Sequence, residues 1–374
     1  MAVYVFRVDA SLEIGSGHVM RCLTLAGALK VQGAECHFIC REHPGNLIEH
    51  IRSKGYGVYT LAQAHQAPDG GASVLTVDEG SCEKVHLAHT HWLGVTQHQD
   101  ADDCAVILRK LQPDWLIVDH YALDARWQAA HKPYYRKLMV IDDLADRSHL
   151  CDLLLDQTSG RSSDDYNPWV PSGCTVLCGS QYALLRPEFA ALRPYSLRRR
   201  ESPKLEHLLI TMGGVDKDNA TGQVLQALAS SELPANCQIT VVMGATAPWL
   251  TEVRQQAEQL PWPTTVRVGV SDMAQLMADS DLAIGAAGAT SWERCCLGLP
   301  TIMLVLADNQ RAIAQALCTA GAALLADSAM LKERRLITRQ QMEPRTLSAM
   351  SASAATVTDG LGTSQVITFF NRQG

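Results

Sequence analysis

Nowhere in this sequence of 374 residues is there a run of about 18 uncharged apolar residues, so it offers no candidate membrane-spanning helix. C-x-x-C pairs are also missing. The twelve cysteines are scattered through apolar segments, as at Cys36, Cys40, Cys104, Cys178 and Cys318, which reads as reduced thiols rather than a zinc ribbon or a disulfide framework. Clustered positive charge is scarce: the formal charge is -7, and Arg198-Arg199-Arg200 is the only tight basic run, expected to be a solvated linker. Polyanion affinity rests on clustered Lys and Arg, so nucleic acid is not an expected partner. With 47% hydrophobic and 19% charged residues, the chain is too apolar for disorder. Before the strand-like run from Met1 to Val8 there is neither a basic segment nor an apolar leader, so a cytoplasmic location is expected.

What is present is a repeated alternation of short β-branched runs with helix-like segments, the pattern of parallel sheets flanked by helices. In the first half, strands are expected at Val3 to Val8, Glu35 to Cys40, Gly57 to Leu61, Trp115 to Asp119, Leu138 to Asp142 and Thr175 to Cys178. In the second half they are expected at His207 to Thr211, Gln238 to Met243, Thr265 to Val268, Leu282 to Gly285 and Thr301 to Leu306. Helices are expected at His18 to Gln32, Asn219 to Ala229 and Ser291 to Cys296. The fold class is therefore α/β, with an N-terminal domain over 1–192, a linker over 193–204 and a C-terminal domain with closing helices over 205–374. The stretch from Ala62 to Asp103 fits this plan poorly, and its segment CEKVHLAHTHW at 82–92 reads as a surface loop. Cys82, His86, His89 and His91 have no usual zinc spacing.

Ligands of parallel α/β sheets bind beyond the carboxyl ends of the strands, so the turns there are where chemistry is expected. In RVDASLEIGSGHVMRC, Gly15 and Gly17 permit close approach of backbone to a ligand, and His18 opens a helix. A histidine there suits a general base, though a helix-capping role fits the position too. In TMGGVDKDN, Gly213 and Gly214 form a turn able to cradle phosphate, without a P-loop lysine. In AIGAAGATSWERC, Glu293 near a helix start could accept the two hydroxyls of a ribose or simply favour the helix dipole. Asn309 and Gln310, after the strand Thr301 to Leu306, could bond a sugar or phosphate or cap a helix. Asp142, Asp143 and Asp146 superficially suggest a Mg²⁺ motif, but an Asx turn is the better reading.

These motifs together resemble a known family. Two Rossmann-like halves, with a glycine-loop histidine in one and a glycine turn plus helix-start glutamate in the other, are similar to GT-B nucleotide-sugar enzymes. More closely, RVDASLEIGSGHVMRCLTLA at 7–26, DWLIVDHYALDARW at 114–127, IDDLADRSHLCDLLLDQ at 141–157, YALLRPEF at 182–189 and MGGVDKDN at 212–219 resemble the UDP-2,4-diacetamido-2,4,6-trideoxy-β-L-altropyranose hydrolases of pseudaminic acid synthesis. The likeness runs from about residue 3 to 318, and GSGHVMRC is its specific part. It implies a GT-B-like fold of two Rossmann-like domains facing a cleft, and a hydrolase that releases UDP by attack of water at the anomeric carbon. Neither cofactor nor metal is implied. By that resemblance His18, Tyr121 and Asn309 are catalytic, while Gly15, Gly17, Gly213, Gly214, Ser291, Glu293 and Gln310 bind substrate. The expected partners are a UDP-sugar and water, with no membrane. A GT-B glycosyltransferase and a non-catalytic UDP-sugar-binding protein remain alternatives. No basic amphipathic patch in the first domain marks an acceptor groove, which favours water.

Overall fold

The computed structural model describes residues 1–63, 87–245, 247–326, 330–331 and 336–373. Cys82 and His86 of the histidine-rich segment lie outside the described residues.

The first sheet has seven parallel strands, β1 (Val3–Val8), β2 (Glu35–Arg41), β3 (Gly57–Leu61), β4 (Trp115–Asp119), β5 (Lys137–Ile141), β6 (Leu153–Asp156) and β7 (Thr175–Cys178). Their spatial order is β3-β2-β1-β4-β5-β6-β7. Around them lie α1 (Gly17–Val31), α2 (Ile48–Ser53), α3 (Gln97–Leu111) and α4 (Ala125–His131), followed by α5 (Pro187–Arg199). The second sheet has six parallel strands, β8 (His207–Thr211), β9 (Gln238–Met243), β10 (Thr264–Val268), β11 (Leu282–Ala286), β12 (Thr301–Leu304) and β13 (Leu324–Ala326), ordered β10-β9-β8-β11-β12-β13. Its helices are α6 (Ala220–Leu228), α7 (Leu250–Glu258), α8 (Met273–Asp279), α9 (Thr290–Cys296) and α10 (Arg311–Thr319). Three more follow, α11 (Arg339–Met342), α12 (Pro344–Val357) and α13 (Gly362–Gln373). Central strands such as β4 (WLIVD) and β11 (LAIGA) are buried along their whole length, because a parallel sheet is covered on both faces.

In both sheets the strand order reverses between the first strand and the fourth, at β1/β4 and β8/β11. Such a switch point opens a crevice beyond the strand ends. The His18 loop follows β1 and Asp119 ends β4, while Gly213 follows β8 and Glu293 lies on the helix after β11.

α5 runs through residues 193–199 of the stretch read as linker. Phe189 of α5 belongs to the second domain's core, and Ser196 Oγ donates to Leu297 O at 2.7 Å. The arginine run is not a solvated linker. Arg200 is buried and donates to the carbonyls of Ser196, Met277, Ala278 and Ser280, filling the orphan acceptors at the end of α8, and Arg199 pairs with Asp281 at 2.5 Å. At the other end of the chain, α13 returns to the first sheet. Its Val366, Ile367 and Phe370 join the core of β1 and α1, and the Phe370 ring stands edge-on to Tyr4 (5.5 Å) and Trp115 (4.8 Å). The outgoing and returning segments run side by side, tied by Ser180 Oγ to Val357 O (2.7 Å) and Thr363 Oγ1 to Leu185 O (2.9 Å).

Candidate active site

His18 occupies the first turn of α1, with its ring buried. Its Nδ1 lies 2.6 Å from Oδ1 of Asp119, the last residue of β4. That partner is a side-chain carboxylate and not a backbone group, so His18 is not a helix cap. One turn along α1, on the same face, Arg21 donates Nε and Nη2 to both Asp119 oxygens at 2.7 Å, and Nη1 to Asp143 Oδ2 at 2.6 Å. Burial opposes the charge on Asp119, but Arg21 and then His18 outweigh it and hold the carboxyl far below its usual range. An ionised Asp119 accepts the Nδ1 proton, which leaves the Nε2 lone pair free. Among the described residues Nε2 has no hydrogen-bond partner.

Tyr121 donates its hydroxyl to Asp143 Oδ2 at 2.5 Å, and its ring meets His18 edge-on at 4.7 Å. Burial, reinforced by Asp143, pushes the phenol well above its usual range, so it stays protonated. Trp92 stacks on Tyr121 at 5.6 Å and His89 tilts against Trp92 at 4.3 Å. The segment read as a surface loop thus supplies half-buried aromatic side chains beside the expected catalytic pair. Burial and the neighbouring His91 depress His89, favouring its neutral form.

Asp142 is engaged as an Asx turn requires: it accepts the N–H groups of Leu144 and Ala145, pairs with Arg147 at 2.8 Å and accepts the Tyr166 hydroxyl. With Asp143 taken by Arg21 and Tyr121, both carboxylates already have their counter-charges. No group of three or more potential metal ligands is found among the described residues.

In the second domain Gly213 takes φ of +93°, a conformation that favours glycine, and the Gly213-Gly214 turn packs so closely on Gly244 that a Cβ there would strike the Gly214 carbonyl. The start of α6 is already capped. Asp216 accepts from Ala220 and Thr221 (2.8 and 2.9 Å) and Asn219 from Gly222 (3.0 Å), so its N–H groups are not open to a phosphate. By contrast, α1 has no side-chain cap at Ser16, nor α9 at Ala289. The two starts face each other: a Cβ on Gly17 would lie 3.9 Å from Ala289 Cβ, and one on Gly214 3.4 Å from Ser16 Oγ. His18 and the Gly213-Gly214 turn thus border one cleft. Gly15, at φ +77°, bridges back to Ser11 and shapes the loop rather than the helix start.

The remaining expected residues are less uniform. Ser291 is buried, its hydroxyl accepting from Arg294 at 3.1 Å and its N–H bonded to Gly288 O, which leaves its O–H proton to donate. Glu293 is partly buried, and its carboxyl is pushed up to about 7 by burial, with Arg186 at 3.9 Å opposing the shift. Asn309 and Gln310 form a short 3₁₀ turn after β12; Gln310 Oε1 accepts Leu306 N–H at 3.0 Å and closes that turn. Sequence reasoning missed Asp119, Arg21, Asp143, His89 and Trp92 as neighbours of His18. The readable signal was an aspartate ending a fully apolar strand, with an arginine three residues after the histidine.

Two Rossmann-like domains whose switch points share a cleft define the GT-B fold. The structure superposes on MurG of Acinetobacter baumannii with a TM-score of 0.68, at 16% identity and over the whole of both chains. Residues 207–361 match the glycosyltransferase family 28 C-terminal domain. The family resemblance carried by the motifs is borne out as well: the chain is 27% identical over 318 residues, 85% of its own length and 96% of the relative's, to the UDP-2,4-diacetamido-2,4,6-trideoxy-beta-L-altropyranose hydrolase of Campylobacter jejuni. An uncharacterized protein of Methanocaldococcus jannaschii is 23% identical over 307 residues, covering 81% of this chain, which spans only 55% of that protein's length. No helix among the described residues is long and apolar enough to cross a membrane.

Proposed function

We propose that this protein hydrolyses a UDP-linked sugar to UDP and free sugar, with His18 as the base that activates water. The observation that carries the proposal is the Asp119–His18 pair at 2.6 Å, set with Arg21 at the first domain's switch point and facing the glycine turn of the second. Nε2 takes a proton from water as the water oxygen bonds to the anomeric carbon and the bond from that carbon to the diphosphate oxygen breaks. Asp119 stabilises the resulting imidazolium. The departing diphosphate lies against the N–H groups of the α1 start and the Gly213-Gly214 turn, and Glu293 accepts the ribose hydroxyls. Tyr121, with Trp92 behind it, and Asn309 face the sugar. The Campylobacter relative makes its namesake UDP-diacetamido-trideoxy sugar the first substrate to test; turnover of that sugar would assign the reaction to pseudaminic acid synthesis and flagellin glycosylation. The expected location is the cytoplasm.

A second reading, transfer of the sugar to an acceptor other than water, is favoured by the family 28 match over residues 207–361. UDP release over a panel of UDP-sugars, with no acceptor present, separates the two: turnover with water alone supports hydrolysis, and turnover only on adding an acceptor supports transfer. In ¹⁸O water the label is expected in the released sugar. Label in UDP means attack at phosphorus and overturns the proposal.

Glu293 adds a pH signature. Only the carboxylate accepts two hydroxyls, and the group is held near 7. KM is therefore expected to fall as pH rises through about 7, and this dependence should vanish in Glu293→Gln. Glu293→Ala is expected to raise KM by about 10- to 100-fold and to lower kcat less, since ribose binding contributes equally to ground and transition states. An unchanged KM with a lower melting temperature would assign Glu293 to the helix alone.

A further inference from the structure

At the opposite end of the first sheet from His18, Cys151 lies two residues before β6 and Cys174 directly before β7, strands that pair with Leu153 opposite Thr175. Their sulfurs are 3.6 Å apart. Cys151 is buried and Cys174 partly exposed. Two hollows of about 380 and 460 Å³ adjoin the pair. Both are lined by Pro171 and Cys174, and Cys151 and Tyr135 line the larger, so small solutes have a path to the thiols. The Cys174 thiol also points at its neighbour's carbonyl, Thr175 O, at 3.5 Å. Hydrogen bonding from Cys151 draws the Cys174 thiol below its ordinary range, against burial, while Cys151 is raised; Cys174 is thus the more readily ionised member. The other cysteines with a resolved shift are all raised, chiefly by burial, as at Cys36, Cys40 and Cys318.

We propose that Cys151 and Cys174 form a thiol-modification site, a pair that closes to an intrachain disulfide when hydrogen peroxide oxidises Cys174. The Cys174 thiolate attacks one peroxide oxygen, the O–O bond breaks, and water leaves with a proton from the medium, giving a sulfenic acid. The Cys151 sulfur then attacks that sulfur, the S–O bond breaks, and a second water departs. Two thiols lose two electrons and one peroxide gains them. Closing the pair needs the sulfurs to approach by roughly 1.5 Å, within reach of side-chain rotation about Cα–Cβ. The bridge encloses residues 152–173, the segment that carries Asp156, Arg161 and Tyr166, and it leaves His18, Asp119 and Tyr121 in place.

The test treats the reduced full-length protein with hydrogen peroxide, alkylates the remaining thiols under denaturing conditions and maps tryptic peptides. Peptide 148–161 is expected joined to peptide 162–198, and dithiothreitol should separate them. Because 162–198 also holds Cys178, the link should persist in Cys178→Ser and be lost in Cys174→Ser. In Cys151→Ser, Cys174 should accumulate as a sulfenic acid captured by dimedone. The proposal is overturned if Cys151 and Cys174 both alkylate fully after peroxide has consumed glutathione added as a control, or if the link maps to Cys178. Should Cys174→Ser fail to fold, fragmentation of the wild-type linked peptide between Cys174 and Cys178 decides the same point.

Discussion

His18→Asn is expected to lower kcat by about 10²- to 10⁴-fold while leaving the Kd for UDP within a few-fold of wild type. The amide is small enough for the site and can still bond Asp119, but it takes no proton at neutral pH. On the proposed function the nucleotide is held mainly by the second domain, through the Gly213-Gly214 turn and Glu293, which this substitution does not touch. His18→Ala should be equally slow. Steady-state kinetics together with UDP titration by calorimetry checks both. A near wild-type kcat in His18→Asn would remove His18 as the base and return attention to attack at phosphorus.

Asp119→Asn is expected to lower kcat by a comparable factor, about 10²- to 10⁴-fold, for a different reason. A carboxylate can only accept, so it fixes the proton on Nδ1 and the lone pair on Nε2. An amide can turn its NH₂ toward Nδ1 and stabilise the opposite tautomer, whose Nε2 carries the proton and cannot act as a base. It also removes the charge that supports an imidazolium. Arg21 keeps its contact with Asp143 at 2.6 Å, so the fold is expected to survive. The distinguishing readout is the split between constants: kcat falls with KM nearly unchanged, and proton NMR of the imidazole shows the tautomer exchanged. A loss of stability with kcat intact would instead make Asp119 a structural counter-ion of Arg21.

The alternation of strand and helix was legible because parallel strands covered on both faces form continuous apolar runs. Val3–Val8, Trp115–Asp119, His207–Thr211 and Gln238–Met243 lie where the sequence puts them. β6 and β13 escaped: Leu153–Asp156 and Leu324–Ala326 are too short to show a period, and the pairing with their neighbours makes them strands. The role of Arg200 was hidden because its acceptors, the last carbonyls of α8, are backbone groups distant in the chain. Within the site, His18 and the glycine turns were visible as punctuation after strands. The Arg21, Asp119 and Asp143 contacts join residues about a hundred positions apart, which only the fold brings together. The segment carrying Trp92 has no periodicity and so reads as loop, although the Trp92 ring lies on Tyr121.

The return of α13 to the first sheet sets an order of events during synthesis. When the ribosome has made β1 through β7, the face of that sheet around Tyr4 and Trp115 still awaits Phe370, Val366 and Ile367. Domains emerging first usually fold first. Here the face of the leading domain around Tyr4 and Trp115 stays uncovered until the second domain has emerged and α13 can pack against it. The nascent chain therefore carries an aggregation hazard between the synthesis of β7 and that of α13, and the second domain completes its core before the first.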